Sequence, residues 1–524
     1  MFLHVGTIFL SAFLLFLVQP IIAKQILPWF GGAASVWAIC LVFFQSLLLV
    51  GYAYADWTTR FLPARRQAWL HVALLAASLA LLPIFPDARW KPAGDQDPTL
   101  AILGLLTATI GLPYLLLSTT SPLVQAWFWQ KFRHAVPYRL FALSNFASLL
   151  ALLSYPVTIE PWISSVAQSR LWSWAYALFA LLCALTALSS ASAARAPAAA
   201  EAGAADAKRP TPGDRLMWMM FSAMGSCLLL ATTNHLTQNI ASVPFLWVVP
   251  LSLYLITFIL CFDHPRWYLR KLIMPAAAAF IAAMSWQIDT VDVWLALPLY
   301  TAGLFVCCMF CHGELTRIKP AARHLTAFYL MISVGGALGA LLVGIVAPNV
   351  LSGYYELGIC LVACAVLLAA RAAPLARWMP LAAAAMVAGV ALAVGMAYER
   401  YVSQTRMMTR NFYGVVRTRD FADPVPFRAL YHGAINHGGQ LLNLAERNRP
   451  SSYFGRSSGY GRLFASLPAA PRAIAARASI RATSARETCC RNRRSRCGTP
   501  AAAGPVSRHR GSARRPATAR CGSR

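Results

Sequence analysis

Thirteen predominantly apolar stretches, each long enough or nearly long enough to cross a bilayer, occupy residues 1 to about 397 with no soluble domain between them. A spanning helix needs roughly 20 such residues. Because 58% of the chain is hydrophobic and only 12% charged, a water-soluble fold has too few polar faces to cover its surface. The reading is an all-α polytopic membrane protein whose first partner is the lipid bilayer. Spans are expected at 2–19, 34–54, 67–85, 99–119, 138–155, 170–190, 216–233, 244–262, 271–286, 291–311, 325–347, 353–370 and 378–397, the ninth being short. Within the eleventh, the Gly335 to Gly339 spacing would let two helices approach closely.

Lys and Arg sort between alternate loops, which sets the threading. With the first two residues of each following span included, the loops after even-numbered spans hold eighteen, among them Arg60, Arg65, Arg66, Arg270, Lys271, Arg317 and Lys319; the other six hold four. The N-terminus and the basic loops are therefore expected on the cytoplasmic side. Residues 191–215, rich in Ala, Pro and Gly, read as a cytoplasmic linker between a first half at 1–190 and a second half at 216–397. Six spans before the linker give both halves the same orientation, the parallel-repeat plan of major-facilitator-type transporters, with a thirteenth helix in addition. Two faint correspondences fit that plan. Trp37 and Trp57 bracket the second span as Trp247 and Trp267 bracket the eighth, and Ser144 and Ser333 hold similar places in "LSNFASLLALL" and "ISVGGALGALL". By parity, everything after residue 397 lies outside.

Residues 398 to about 470 change register. "RNFYGVVRTRDF" alternates like a strand, "FRALYHGAINHGGQLL" resembles a second strand with turn glycines, and "RPSSYFGRSSGYG" reads as polar loop. From about residue 471 the composition shifts again, to fourteen arginines, no lysine and the single acidic residue Glu487. A disordered nucleic-acid arm and a membrane-surface patch are the usual readings of such a tail. Arg, Ala, Pro, Gly and Cys without Lys is instead what GC-rich coding DNA yields out of frame. Residues 471–524 are therefore expected to be disordered, out-of-frame sequence. The net charge of +28 then argues for no nucleic-acid partner.

Three stretches together resemble one family. "LVQPIIAKQILPWFGGAASVWAICLVFFQSLLLVGYAYA" (17–55), "CHGELTRIKPAARHLTAFYLMISVGGALGALLVGIVAP" (311–348) and "RNFYGVVRTRDF" with "YHGAINHGGQ" are similar to the bacterial membrane-fused spermidine synthase-like proteins. The resemblance covers about residues 1–470. It implies a transporter-like membrane domain joined to the N-terminal β-region of an aminopropyltransferase-like domain. In the family that β-region leads into a Rossmann-like fold holding S-adenosylmethionine, or its decarboxylated form, at a Gly-rich turn. No such turn follows "GRLFASLPAAPRAIA". The resemblance places Tyr413, His432, His437, Gln440 and Tyr453 near a substrate cleft. The acidic residues that hold polyamine ammonium groups have no clear match.

Polar side chains in or beside the spans are the remaining candidates, since burying them in hydrocarbon is costly unless they meet a cavity or a partner. They are Gln19, Lys24 and Gln45 in the first stretch, Asn234, His235 and Gln238 at the end of the seventh span, and His312 and Glu314 in the second stretch. Each could equally be structural, Glu314 as part of a helix-end charge cluster with Arg317 and Lys319. Asn239 stands where the family usually carries Asp, which would weaken cation or proton handling. If the seventh-span cluster lines a transport path, it should face a central cavity. Cys308, Cys311 and His312 fit the C-x-x-C-H haem pattern, but haem attachment needs an exposed exported segment and these lie at the cytoplasmic end of a span. No metal site, cofactor site or catalytic constellation is read from the sequence. The expected function is transport or binding of a small cationic solute such as a polyamine. The alternatives are a membrane-tethered aminopropyltransferase whose catalytic domain is missing here, and a non-functional truncated product.

Overall fold

The computed structural model of the chain describes residues 2–92, 97–131, 137–193, 210–239, 245–290, 292–320, 324–373, 376–403, 405–449, 451 and 455–466. Helices run over α1 Phe2–Ile26, α2 Ala34–Phe61, α3 Ala64–Leu79, α4 Thr99–Lys131, α5 Pro137–Ser154, α6 Ser165–Ala193, α7 Pro212–Asn239, α8 Phe245–Asp263, α9 Arg270–Trp286, α10 Val293–Arg317 and α11 Leu325–Leu341. A π-helical turn, Leu342–Val346, carries α11 into the short α12, Ala347–Val350; α13 Glu356–Ala372 and α14 Met379–Val402 follow. Every expected span overlaps a helix. Among the described residues, ten helices are long and apolar enough to cross a membrane. Several outrun their apolar stretch, so that α1 continues through Pro20 to Ile26 and carries Lys24 on its last turn. α3, α9 and α13 are shorter, at 16, 17 and 17 residues.

Apolar side chains lie on both faces of these helices, as hydrocarbon solvent allows. On α6, Leu171, Trp174, Leu178, Leu181 and Leu185 form an exposed stripe at helical spacing, while Trp172, Tyr176, Phe179 and Cys183 on the opposite side are buried. In water that outer stripe would be a large apolar patch; against lipid tails it costs nothing.

Within the first six helices, α1 packs on α5, α4 and α6, α2 on α4, and α3 on α6. Within the later ones, α7 packs on α11, α10 and α13, α8 on α10, and α9 on α13. α5 meets α8 and α2 meets α11. The α7–α11 contact is made close by small residues. A Cβ on Gly335 would lie 2.3 Å from the Met219 carbonyl oxygen, and one on Gly339 2.7 Å from that of Ala223. The proximity lets Ser222 Oγ donate to Ile332 O at 2.6 Å and Ser226 Oγ to Gly336 O at 2.9 Å.

After α14 come four strands, β1 Thr405–Asn411, β2 Gly414–Phe421, β3 Phe427–His432 and β4 Ile435–Leu441, in one antiparallel sheet of order β1-β2-β3-β4. Each of the two expected strands is thus a hairpin. Asn411 Oδ1 accepts from Tyr413 N at 2.9 Å and Gly414 adopts φ +137°, which turns the chain at Phe412 and Tyr413. Gly433 at φ +61° does the same between β3 and β4. Arg410 binds Gly353 O and Glu356 at the start of α13, and Val415 N donates to Tyr354 Oη, so the sheet sits against that end of the helices. At its other end α13 delivers Arg371 to Glu314, beside Arg317 and Arg270. Its 17 residues rise about 25 Å at 1.5 Å per residue, from the sheet to the basic ends. The chain divides at Arg449 into two units. In the second, a short α15, Gly459–Ser466, replaces the last part of the expected polar loop. Most of the expected linker and all of 471–524 lie outside the described residues.

Candidate functional site

Small polar residues on the helices converge on a cavity of about 110 Å³ in the middle of the bundle. It is lined from α1, α2, α4 and α5 on one side and from α7, α8 and α11 on the other. On α5, Ser144 and Ser148 line it from one face, four residues apart, and Asn145 lines it from the adjoining flank. Gln45 from α2 and Ser333 from α11 complete its polar wall; Tyr52, Phe141, Tyr254 and Phe258 supply aromatic surface. Ser333 is 3% exposed and its hydroxyl has no hydrogen-bond partner, so an acceptor or donor entering the cavity would find one free. No charged side chain lines the cavity among the described residues.

Two aromatic stacks flank it along the bundle. Trp37, near the start of α2, stacks on Trp247, near the start of α8, with centroids 4.7 Å apart and planes 14° apart. Phe141 of α5 stacks on Tyr329 of α11 at 4.7 Å and 15°. Tyr329 lies one helical turn before Ser333, toward the basic ends, and its hydroxyl donates to Gln125 Oε1 at 3.2 Å.

The candidates from the sequence scatter over distinct environments. Gln45 lines the central cavity. Gln19 is buried and donates to Tyr114 Oη at 3.3 Å. Lys24 forms an ion pair with Glu160, both half exposed. Asn234 accepts through its backbone carbonyl from Thr237 Oγ1. His235 stacks obliquely on Tyr300, and its Nδ1 lies 3.2 Å from Asn239 Nδ2. Gln238 Oε1 accepts from Tyr354 Oη at 2.8 Å, and that same hydroxyl accepts from Val415 N, so Gln238 ties α7 to the sheet. The expectation that the seventh-span cluster faces the central cavity is corrected. These residues sit on the last turns of α7, beyond the Trp37–Trp247 stack, and His235 and Asn239 instead line a second cavity at the junction with the sheet.

His312 is buried on α10, its ring stacked 3.7 Å from that of Phe258 and its Nδ1 2.8 Å from Thr257 Oγ1; the cavity-lining Phe258 and Tyr254 separate it from the cavity. Glu314, wholly buried, receives Arg270, Arg317 and Arg371 at 3.0, 3.1 and 2.7 Å, with Tyr268 Oη donating at 3.0 Å. That knot fixes the basic ends of α10 and α13 and leaves the carboxylate no free valence. Cys308 and Cys311 are buried in α10, out of reach of the exposed setting that haem attachment requires.

On the sheet, Tyr413 and His432 meet through a 3.3 Å contact between His432 Nε2 and Tyr413 O, and His437 lies 5.9 Å from His432 ring to ring. Gln440, paired with Arg428 at the far end of the strands, bonds Arg447 O instead. Tyr453 lies outside the described residues. No catalytic geometry joins these groups, and the described residues hold no cluster of metal-ligating side chains. No known protein family model matches the chain, and no curated protein is similar to it in sequence.

Sequence reasoning passed over Asn145, Ser148 and Ser222, because a serine or amide within an apolar helix reads as ordinary packing. The signal available was the paired placement of Ser144 and Ser333, both of which line the cavity.

Proposed function

We propose that the chain is a multi-pass carrier built as two parallel six-helix halves plus a thirteenth spanning segment, and that the central cavity is its solute site. The observation that carries the reading is an uncharged cavity, its largely apolar and aromatic wall set with serines, Gln45 and Asn145, that is lined by helices of both sets and flanked along its length by two aromatic stacks. The helix pairings support the repeat. Advancing the partners α1–α5, α2–α4 and α1–α4 by six gives α7–α11, α8–α10 and α7–α10, and the pairing of α3 with α6 recurs as α9 with α13, the twelfth span. Trp37 stacks on its counterpart Trp247, and Ser144 and Ser333 share one cavity, as an approximate two-fold axis through the cavity would require. The short α9 and α13 fit a crossing, since α9 carries Arg270 at the Glu314 knot and leads at its far end to Asp289 in the junction cavity.

The resemblance to membrane-fused spermidine synthase-like proteins points to a polyamine, but the lining bears on the number of charges tolerated. Hydroxyl and amide oxygens with aromatic faces suit one ammonium group; several would need carboxylates. The cavity is smaller than the roughly 300–1,000 Å³ of sites for drug-sized ligands. The solute is accordingly small and polar, with at most one positive charge. The charge asymmetry of the loops supports a cytoplasmic N-terminus and, by parity, an outer position for the sheet, and the resemblance supports an inner membrane. The stacks act as alternate gates, opening one side while the other stays closed.

Uptake into proteoliposomes tests this. A small monoamine or a neutral polar solute should accumulate, putrescine less; Ser333→Leu, which fills the cavity, should abolish uptake while helix content holds. Uptake by no such solute, or uptake unaffected by Ser333→Leu, would refute the assignment. The four-stranded sheet favours a second reading, that this segment is the β-region of an aminopropyltransferase-like domain. Measurable aminopropyl transfer to putrescine by the purified chain would establish it.

A further inference from the structure

The second cavity, about 460 Å³, opens where the last turns of α7 and α14 meet β2 and β3. β2 turns Arg417 and Arg419 to the same face because strand side chains alternate, and both line this space. Arg417 is only 8% exposed. Its Nη1 donates to Tyr401 O at 2.6 Å, and its guanidinium lies 4.0 Å from the Tyr401 ring centroid and 5.6 Å from that of Tyr431. The rings cover the faces of the guanidinium and Tyr401 O meets Nη1, but Nε is buried with no hydrogen-bond partner, and so is the Tyr401 hydroxyl. Burial lowers the pKa of Arg417 from its ordinary value, and neighbouring Arg419 adds to that. Asp289, which also lines the cavity, is held by Arg400 through a 2.9 Å contact. Three guanidinium groups thus face one carboxylate.

A buried guanidinium with an unfilled donor is expensive unless an anion completes it. We propose that the junction cavity is an oxyanion site that takes a phosphate group, with Arg417 and the Tyr401 hydroxyl as donors and Arg419 supplying further positive charge. Guanidinium and hydroxyl donors gathered on one cavity match the several oxygens of a phosphate better than the two of a carboxylate. Because the cavity lies at the helix ends, where lipid head groups lie, the phosphate could belong to a free solute or to a phospholipid. The site is separate from the central cavity and does not depend on the carrier reading.

The test uses the full chain purified in detergent without added lipid. Inorganic phosphate, but not chloride at equal ionic strength, should raise the unfolding temperature saturably, as binding to the native state alone requires. Arg417→Gln should remove the effect, and Tyr401→Phe should weaken phosphate affinity at least tenfold while leaving the unliganded protein as stable as the parent, since that hydroxyl has no partner to lose. If a phospholipid is the source, phosphate will have no effect, but native mass spectrometry will show one lipid retained by the parent and lost from Tyr401→Phe. The proposal is overturned if neither phosphate response nor retained lipid is found, or if either persists unchanged in Tyr401→Phe, the variant that decides the matter should Arg417→Gln fail to fold.

Discussion

The side chains of Arg410 on β1 and Glu356 at the start of α13 are 5% and 6% exposed and meet through two contacts, at 2.7 and 3.2 Å. Arg410 also donates to Gly353 O at 2.6 Å and lies over the Tyr354 ring. This pair is the best-buried link between the sheet and the helices, and its disruption should release the sheet. Replacing Glu356 by Ala leaves a guanidinium without water or counter-charge, which costs about 3–5 kcal/mol. Arg410→Ala strands the carboxylate at a similar cost. At roughly tenfold per 1.4 kcal/mol, the open population should rise about a hundred- to a few-thousand-fold. Chymotrypsin reports it, because cleavage at Phe421, Phe427 or Tyr431 tracks the open population when closing is faster than cutting. The double variant Glu356→Leu with Arg410→Met strands neither charge. It loses the bond to Gly353 O, about 1 kcal/mol, so it should be cut far more slowly than either single variant. Cleavage of the double variant at or above the rate of the singles would refute the reasoning, because the pair would then be contributing net attraction rather than relief of burial.

Reporter fusions within 194–209 should be active only on the cytoplasmic side and fusions after Leu441 only outside; the same side for both would break the parity argument. Gly335→Leu should cost several kcal/mol of stability and lower yield, since the new side chain meets the Met219 carbonyl rather than a flexible neighbour, and detergent-solubilised yield measures it. Tyr354→Phe removes both the Gln238 and the Val415 bonds; it should raise proteolysis of the sheet without changing uptake, whereas Gln45→Ala should do the reverse. Asp420, bound twice by Arg428 at 2.6 and 2.8 Å, has its pKa held below the ordinary value chiefly by that bond. Its contribution is therefore complete above the unfolded value near 4 and lost as pH falls through the lower folded one, by under about 1 kcal/mol for so exposed a pair. Asp420→Asn should remove that part of the acid sensitivity of sheet cleavage.

Apolar length and loop charge carry most of the fold, because a bilayer leaves a chain few alternatives. The Gly335 and Gly339 spacing was likewise legible, since only a close helix approach uses two such gaps on one face. The hairpins were not, because "RNFYGVVRTRDF" keeps its alternation through a turn that depends on the Asn411 side chain and the Gly414 backbone. The site was legible only in part. Hydropathy singles out conspicuous groups such as His312, Glu314 and Gln238, and these turn out to hold helices or the sheet in place. The cavity instead collects serines whose sequence context is that of packing residues, and only the fold assembles them.

That distribution follows from the cost of charge in hydrocarbon. Every strong charge described sits at an end of the bundle: Glu314 with its arginines at one, Lys24 with Glu160, Arg410 with Glu356 and the Arg417 cavity at the other. Among the described residues the middle keeps only groups that can be desolvated cheaply, as the proposed solute site would require if it empties on each cycle. A carboxylate there would bind a cation more tightly but would stand unpaired whenever the site was vacant. Asn239 fits the same division. Its amide lies at the junction cavity beside Arg417 and Arg419, where an aspartate would neutralise the positive excess and compete with an oxyanion. Asn239→Asp should therefore weaken phosphate binding at the junction and leave uptake through the central cavity unchanged; an effect on uptake alone would mean that the two cavities form one path.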